Sequence, residues 1–215
     1  MADIFKEVDE DVRRDRAMVL WQRYRWLIVG AVVLLVGGTA GYNIWREYDT
    51  GQRLARGERF EAAVDMAQRG NYDAAARAFA KFAESSGSTY GVLARLREAS
   101  ARAAAGDGKS AVAVYDAISS SGEGEVALRE LASLLAARTL LDDGLIAEAE
   151  KRLQPLAATI GPWQHMAREL QGVAAVQAGR HDDARQVFTA LGEEAGVPNG
   201  VKLRAGEMLA ALGPQ

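Results

Sequence analysis

The sequence predicts an all-α protein, in which one N-terminal transmembrane helix precedes a solenoid of about four antiparallel helix pairs and a C-terminal capping helix. Three observations predict this fold. One long stretch near the start of the 215-residue chain carries no charge. The rest is rich in alanine and poor in β-branched runs, and the whole chain has four prolines. A glycine-centred pattern recurs four times at intervals of 36, 38 and 35 residues.

The charge-free stretch runs from Leu27 to Ile44. A helix from Trp26 to Trp45 is roughly 30 Å long, which matches the hydrocarbon core of a bilayer. Tryptophan at both ends is typical of the membrane interfaces. The alternatives are a buried core helix and a cleaved signal peptide, but a signal peptide has a shorter apolar region of about 7 to 15 residues. We therefore expect residues 26–46 to form an uncleaved single-pass anchor.

The orientation of this anchor rests on a small difference in flanking charge. Five arginines precede the segment and four follow it closely: Arg13, Arg14, Arg16, Arg23 and Arg25 against Arg46, Arg53, Arg56 and Arg59. The positive-inside rule then favours a cytoplasmic charged tail at residues 1–25. Residues 47–215 are expected to lie outside the cytoplasm, which in a bacterium is the periplasmic side of the inner membrane.

The composition of the chain excludes several classes of function. The net charge is −3 and no basic patch dominates, so a nucleic-acid partner is not indicated. There is no cysteine, which removes disulfides, thiol chemistry and cysteine-bearing zinc sites. His165 and His181 are the only histidines, and a zinc site needs three or four suitably spaced ligands. No metal or cofactor is therefore expected.

The four recurring glycines fix the register of the repeat. The fifth residue after each glycine is alanine, and the ninth is large and apolar. Seven residues before each glycine stands a small residue, namely Ala63, Ala99, Ala137 or Gly172. The repeat-defining residues are Gly70, Ala75 and Phe79; Gly106, Ala111 and Tyr115; Gly144, Ala149 and Leu153; and Gly179, Ala184 and Phe188.

This spacing predicts a helix, a tight turn at the glycine and a second, antiparallel helix. One such pair cannot bury its own apolar face, so neighbouring pairs must stack. Residues 47–69 are expected to continue from the anchor into the first pair, and residues 198–212 to cap the last. Turn chemistry at 85–89, 119–125, 159–162 and 195–200 separates the pairs. Pro155 falls inside a predicted helix, which it should kink or shorten.

The repeat resembles tetratricopeptide repeats, whose period is near 34 residues. Tyr72, two residues after the first glycine, fits that pattern, whereas Gly108, Ile146 and His181 depart from it in the later copies. Together with the anchor and the charged tail, the whole chain is similar to the ancillary SecYEG translocon subunit family, membrane-anchored tetratricopeptide-repeat proteins of the YfgM type. The resemblance implies a non-catalytic periplasmic domain beside the translocon, which works with a membrane-anchored prolyl-isomerase-like chaperone on polypeptide clients.

In solenoids of this kind the first helix of each pair lines the concave face. The resemblance thus implies a mostly apolar protein-binding groove, which suits an amphipathic helix or an unfolded segment. Two other interpretations stay open: these residues belong to the core, or the first helix covers them. The candidates are Phe60, Val64, Leu93, Leu96, Leu131, Leu134, Arg138, Leu141, Met166, Val173 and Val176. Only Arg138 is basic among them, which disfavours a clamp for a terminal carboxylate.

No catalytic residues are predicted. The segment "GEGEVA" at 122–127 formally fits a dinucleotide-binding pattern, but no apolar strand precedes it, so we interpret it as a loop. The predicted function is a non-enzymatic protein-interaction module, acting as a periplasmic chaperone or adaptor at the translocon. The alternative is a passive envelope scaffold that organises a stable complex without binding unfolded clients.

Overall fold

The structure is a computed structural model that describes residues 57–122 and 124–213. It also describes Trp26, Gly30, Leu34, Leu35, Gly38, Thr39, Tyr42, Trp45 and Arg46. The chain divides into two units, Met1–Ala55 and Arg56–Gln215. The cytoplasmic tail predicted at 1–25 lies outside the described residues.

The described residues of the first unit are all helical and exposed. The Thr39 hydroxyl donates a hydrogen bond to the carbonyl of Leu35, one turn earlier, at 2.8 Å. Among the residues that the structure describes, no helix is both long and apolar enough to cross a membrane. Most of the segment 26–46 falls outside those residues, so the anchor stays a prediction.

The second unit consists of helices joined by short turns in its described ranges, 57–122 and 124–213, and contains no strand there. Helix α1 covers 57–68. It is followed by α2 (Tyr72–Glu84), α3 (Ser88–Ala104), α4 (Gly108–Ser120), α5 (Val126–Asp142), α6 (Ile146–Ala158), α7 (Gln164–Gln177), α8 (His181–Glu193) and α9 (Asn199–Leu212). The all-helical repeat predicted for this part of the chain is confirmed.

Each pair is closed by the same turn at its glycine. Gly144 has φ +76°, a conformation that strains other residues. Its N–H donates to the Leu141 carbonyl at 3.0 Å, and the Leu145 N–H donates to the Leu140 carbonyl at 2.8 Å. These two bonds satisfy carbonyls left free at the end of a helix. The turns at Gly70, Gly106 and Gly179 repeat both bonds and the positive φ.

The small and large residues of the repeat meet in the core between the two helices of each pair. The four alanines that follow the turn glycines are fully buried, and the large residues four positions later are 0 to 2% exposed. Gly172 shows why the partner helix needs a small residue. A Cβ atom placed there would lie 2.6 Å from Cζ of Phe188. Close approach of the two backbones therefore depends on these positions.

Contacts one repeat apart hold neighbouring pairs together. The Trp163 indole N–H donates to the Ala127 carbonyl at 2.7 Å, so the starts of α5 and α7 are joined. Arg152 of α6 pairs with Asp116 of α4 at 2.8 Å. Helix α3 contacts α5, α5 contacts α7 and α7 contacts α9, so these four helices form one continuous face.

Pro155 does not shorten its helix. Helix α6 has 13 residues, as do α2, α4 and α8, and it continues for three residues past the proline. The Thr159 hydroxyl donates to the Pro155 carbonyl at 2.9 Å, which caps the last turn. Of the two effects expected of this proline, a kink or a shorter helix, the shorter helix does not occur.

Tyr115, in the core of the second pair, makes the stability of the protein depend on pH in the alkaline range. Burial raises the pKa of its hydroxyl above the ordinary value of 10.0. The folded state thus favours the neutral side chain, and this contribution to stability is present below pH 10 and lost as the pH rises towards the raised pKa. Above pH 10, we expect the free energy of unfolding of the wild type to fall more steeply with pH than that of Tyr115→Phe. The difference in slope should be up to about 1.4 kcal/mol per pH unit. Urea denaturation of both proteins at about pH 9, 10 and 11 measures this difference. Parallel curves for the two proteins would contradict it.

Candidate protein-binding groove

A groove of about 500 Å³ lies between α5 and α7 and reaches α9. Such a volume is within the range of pockets that bind a small ligand or a few side chains. Most of its lining is apolar, with charged groups among it. The lining residues are Leu134, Leu135, Arg138, Leu141 and Asp142 of α5, Met166, Glu169, Leu170, Val173 and Gln177 of α7, and Arg204 of α9.

The floor and the walls of the groove differ in exposure. Leu134 and Leu141 are only 2% and 3% exposed, because they also belong to the core shared by α5, α6 and α7. Met166 is 39% exposed and Leu170 is half-buried, so their side chains form accessible walls. A partner that fills the groove would bury these walls without rearrangement of the floor.

Two charged groups of the groove are already paired with each other. Arg204 of α9 donates two hydrogen bonds to Glu169 of α7, with Nε to Oε1 at 2.5 Å and Nη2 to Oε2 at 2.7 Å. This carboxylate holds the pKa of the Arg204 guanidinium above its ordinary value. The pair joins the capping helix to the last repeat at one side of the groove.

Arg138 and Asp142 are the other charged residues of the groove. Both are exposed and lie one turn apart on α5. Within the described ranges neither takes part in an ion pair or a side-chain hydrogen bond. Their charges are therefore available to a partner.

The groove brings together five of the eleven residues predicted for it: Leu134, Arg138, Leu141, Met166 and Val173. The other six do not line it. Phe60 lies edge-on to Phe79 and Phe82, with ring centroids 5.4 and 5.3 Å apart, and Val64 packs against the same cluster as Phe79. Leu96 is a core residue, while Leu131 and Val176 are half-buried against other clusters. Leu93 is 39% exposed, outside the groove.

Six lining residues were absent from the predicted set: Leu135, Asp142, Glu169, Leu170, Gln177 and Arg204. Leu135 and Leu170 each stand nine residues before a turn glycine, whereas the first two pairs have Glu61 and Arg97 at that position. This change from charged to apolar is a signal that marks the third and fourth pairs. Arg204 lies in the capping helix, outside the repeat register, and no sequence signal indicated its place.

Nothing in the described part of the chain resembles a catalytic or metal centre. No group of three or more histidine, aspartate and glutamate side chains is placed to hold a metal ion in the residues that the structure describes. His165 is half-buried and His181 is exposed, on different helices. Of the segment 122–127, interpreted above as a loop, the described residues up to Glu125 connect α4 to α5, whereas Val126 and Ala127 begin α5; Glu123 lies outside the described residues.

Residues 19–199 match the sequence model of the tetratricopeptide repeat-like domain. The chain belongs to this family. The fold is also similar to a structure from Podospora anserina described as a kinesin light chain with nearly identical TPR-like repeats. That similarity has a TM-score of 0.54 and 16% sequence identity, and it covers 72% of this chain and 83% of the other. No curated protein matches the chain. Tetratricopeptide-like repeats indicate a module for protein–protein interaction.

Proposed function

We propose that this protein is a non-enzymatic, membrane-anchored interaction module that binds other proteins in the groove formed by α5, α7 and α9. The observation that carries the proposal is the groove itself, where apolar walls stay accessible although the floor below them is core. Burial of each large wall side chain contributes on the order of 1 to 3 kcal/mol to binding. Exposed apolar surface of this kind marks interaction sites.

The anchor at 26–46 and its orientation are part of the proposal. The charge-free stretch has the length of a membrane span, and the family match extends across it. With residues 1–25 in the cytoplasm, the repeats act in the periplasm at the inner membrane. The partners we propose, from the resemblance of the whole chain, are the SecYEG translocon and a membrane-anchored prolyl-isomerase-like chaperone. The role is that of a chaperone or adaptor for polypeptide clients.

The second candidate function is a passive scaffold. The contacts between repeats, from Trp163 to Ala127 and from Arg204 to Glu169, hold the groove in one shape. A preformed groove of limited volume favours one defined partner over many unfolded clients. Aggregation assays separate the two functions: a chaperone suppresses aggregation of a denatured substrate at stoichiometric concentration, whereas a scaffold does not.

Reporter fusions and copurification test the proposal in cells. A reporter active only outside the cytoplasm, fused after Gln215, should be active, and a reporter active only inside should be silent. Full-length tagged protein, solubilised in a mild detergent, should retain SecYEG. Activity of the inside reporter alone would overturn both the periplasmic and the translocon assignments, whereas loss of SecYEG alone would overturn only the partner.

A further inference from the structure

We infer that the occupant of the groove is one short amphipathic helix of a partner protein, with an acidic residue opposite Arg138 and a basic residue opposite Asp142. The inference rests on the proposed function, because it names the kind of segment that the same groove takes. Its support comes from the dimensions of the groove, from the backbone chemistry of its walls and from the charges that remain unpaired there.

The dimensions fit about two turns of helix. Leu134 and Leu141 on the floor are seven residues apart, as are Met166 and Val173 on α7, so the groove is about 10 Å long. A helix of this length presents apolar side chains at positions i, i+3 or i+4, and i+7 on one face. A volume of about 500 Å³ admits these few side chains and excludes a larger folded element.

The walls offer side chains but few backbone partners. Helices α5, α7 and α9 use their own backbone groups internally, and no sheet edge occurs in the described ranges. An extended segment in this groove would leave its N–H and C=O groups without partners, at a cost for each group removed from water. A helix that continues past both ends of the groove pairs those groups within itself. The groove therefore favours a helical occupant.

The unpaired charges give the occupant a direction. Glu169 and Arg204 neutralise each other, which leaves Arg138 and Asp142 as the free charges, one helical turn apart on α5. An occupant with an acidic residue opposite Arg138 and a basic residue opposite Asp142 gains two ion pairs. An occupant in which these two residues are exchanged brings like charges together. Because the two groups are exposed, we expect them to decide selectivity more than total affinity.

A displayed library of helical peptides tests this inference. The bait is the full-length protein in detergent, as wild type, as Arg138→Glu/Asp142→Arg, as Met166→Glu and as Leu93→Glu. Wild type should enrich peptides with apolar residues at helical spacing and an acidic and a basic residue about one turn apart. These peptides should bind the charge-reversed bait at least tenfold more weakly and the Leu93→Glu bait equally well. The charge-reversed bait should enrich peptides in which the acidic and the basic residue have exchanged places.

The outcomes separate this inference from the proposed function. Selected peptides that bind the charge-reversed bait within twofold of wild type, or that carry an extended, proline-rich pattern, would overturn the helix-and-charge inference. The groove would still be the binding site if Met166→Glu abolished their binding. Equal binding to wild type and Met166→Glu, or no enrichment at all, would overturn the inference and remove the groove from the proposed function. Circular dichroism of each bait controls for folding.

Discussion

Replacing Gly172 by alanine is expected to lower the free energy of unfolding by about 1 to 2 kcal/mol, although alanine is the better helix former. The added Cβ would lie 2.6 and 2.7 Å from two ring carbons of Phe188, which is fully buried. Overpacking of this kind costs about 1 to 3 kcal/mol. The gain in helix propensity of up to about 1 kcal/mol offsets only part of it. Urea denaturation of the full-length protein measures the difference.

Two variants control this prediction. Gly206→Ala in α9 adds the same methyl group where no atom lies within 4 Å, and it should raise stability by up to about 1 kcal/mol. Phe188→Leu combined with Gly172→Ala recreates the pairing of Ala137 with Leu153 in the third pair. In the Phe188→Leu background the alanine should cost nothing. An equal loss in both backgrounds would show that the steric explanation is wrong.

The largest functional effect is expected from Met166→Glu, which should weaken binding of a groove partner by at least tenfold. The change places a charge on an accessible apolar wall, and the carboxylate must be desolvated when a partner covers it. Binding of a helical peptide selected on the wild type, measured by calorimetry, gives the ratio of dissociation constants.

Leu93→Glu is the matched control for this variant. Both Leu93 and Met166 are 39% exposed, and both stand thirteen residues before a turn glycine. Leu93 does not line the groove. A glutamate there should leave the dissociation constant within twofold of the wild type. Equal weakening by the two variants would indicate a longer binding face along α3, α5 and α7.

Sequence periodicity was sufficient to predict the repeat, because the turn and the core of each pair follow strict local rules. Gly144 must adopt a positive φ, and Ala149 must be small where two backbones meet. Such requirements recur at a fixed spacing and are visible in one chain. Pro155 shows a limit of the same reasoning, since the penalty for a proline inside a helix did not shorten α6.

The groove was harder to predict, because its lining depends on what each residue packs against. Phe60 and Met166 stand ten and thirteen residues before their glycines, both at groove positions of the repeat. The rings of Phe79 and Phe82 pack against Phe60, whereas Met166 stays open. Arg204 reaches the groove from the capping helix. A register transferred from one pair to the next carries no information about such contacts.

Site-specific photocrosslinking in living cells tests the central claim most directly. A photoreactive amino acid is placed at position 166 of the full-length protein, and in a second strain at position 93. The groove assignment predicts a discrete protein adduct from position 166 and at most a weak one from position 93, with the adduct suppressed by the Arg138→Glu/Asp142→Arg change. Adducts of equal yield from both positions, or none from position 166, would contradict the assignment.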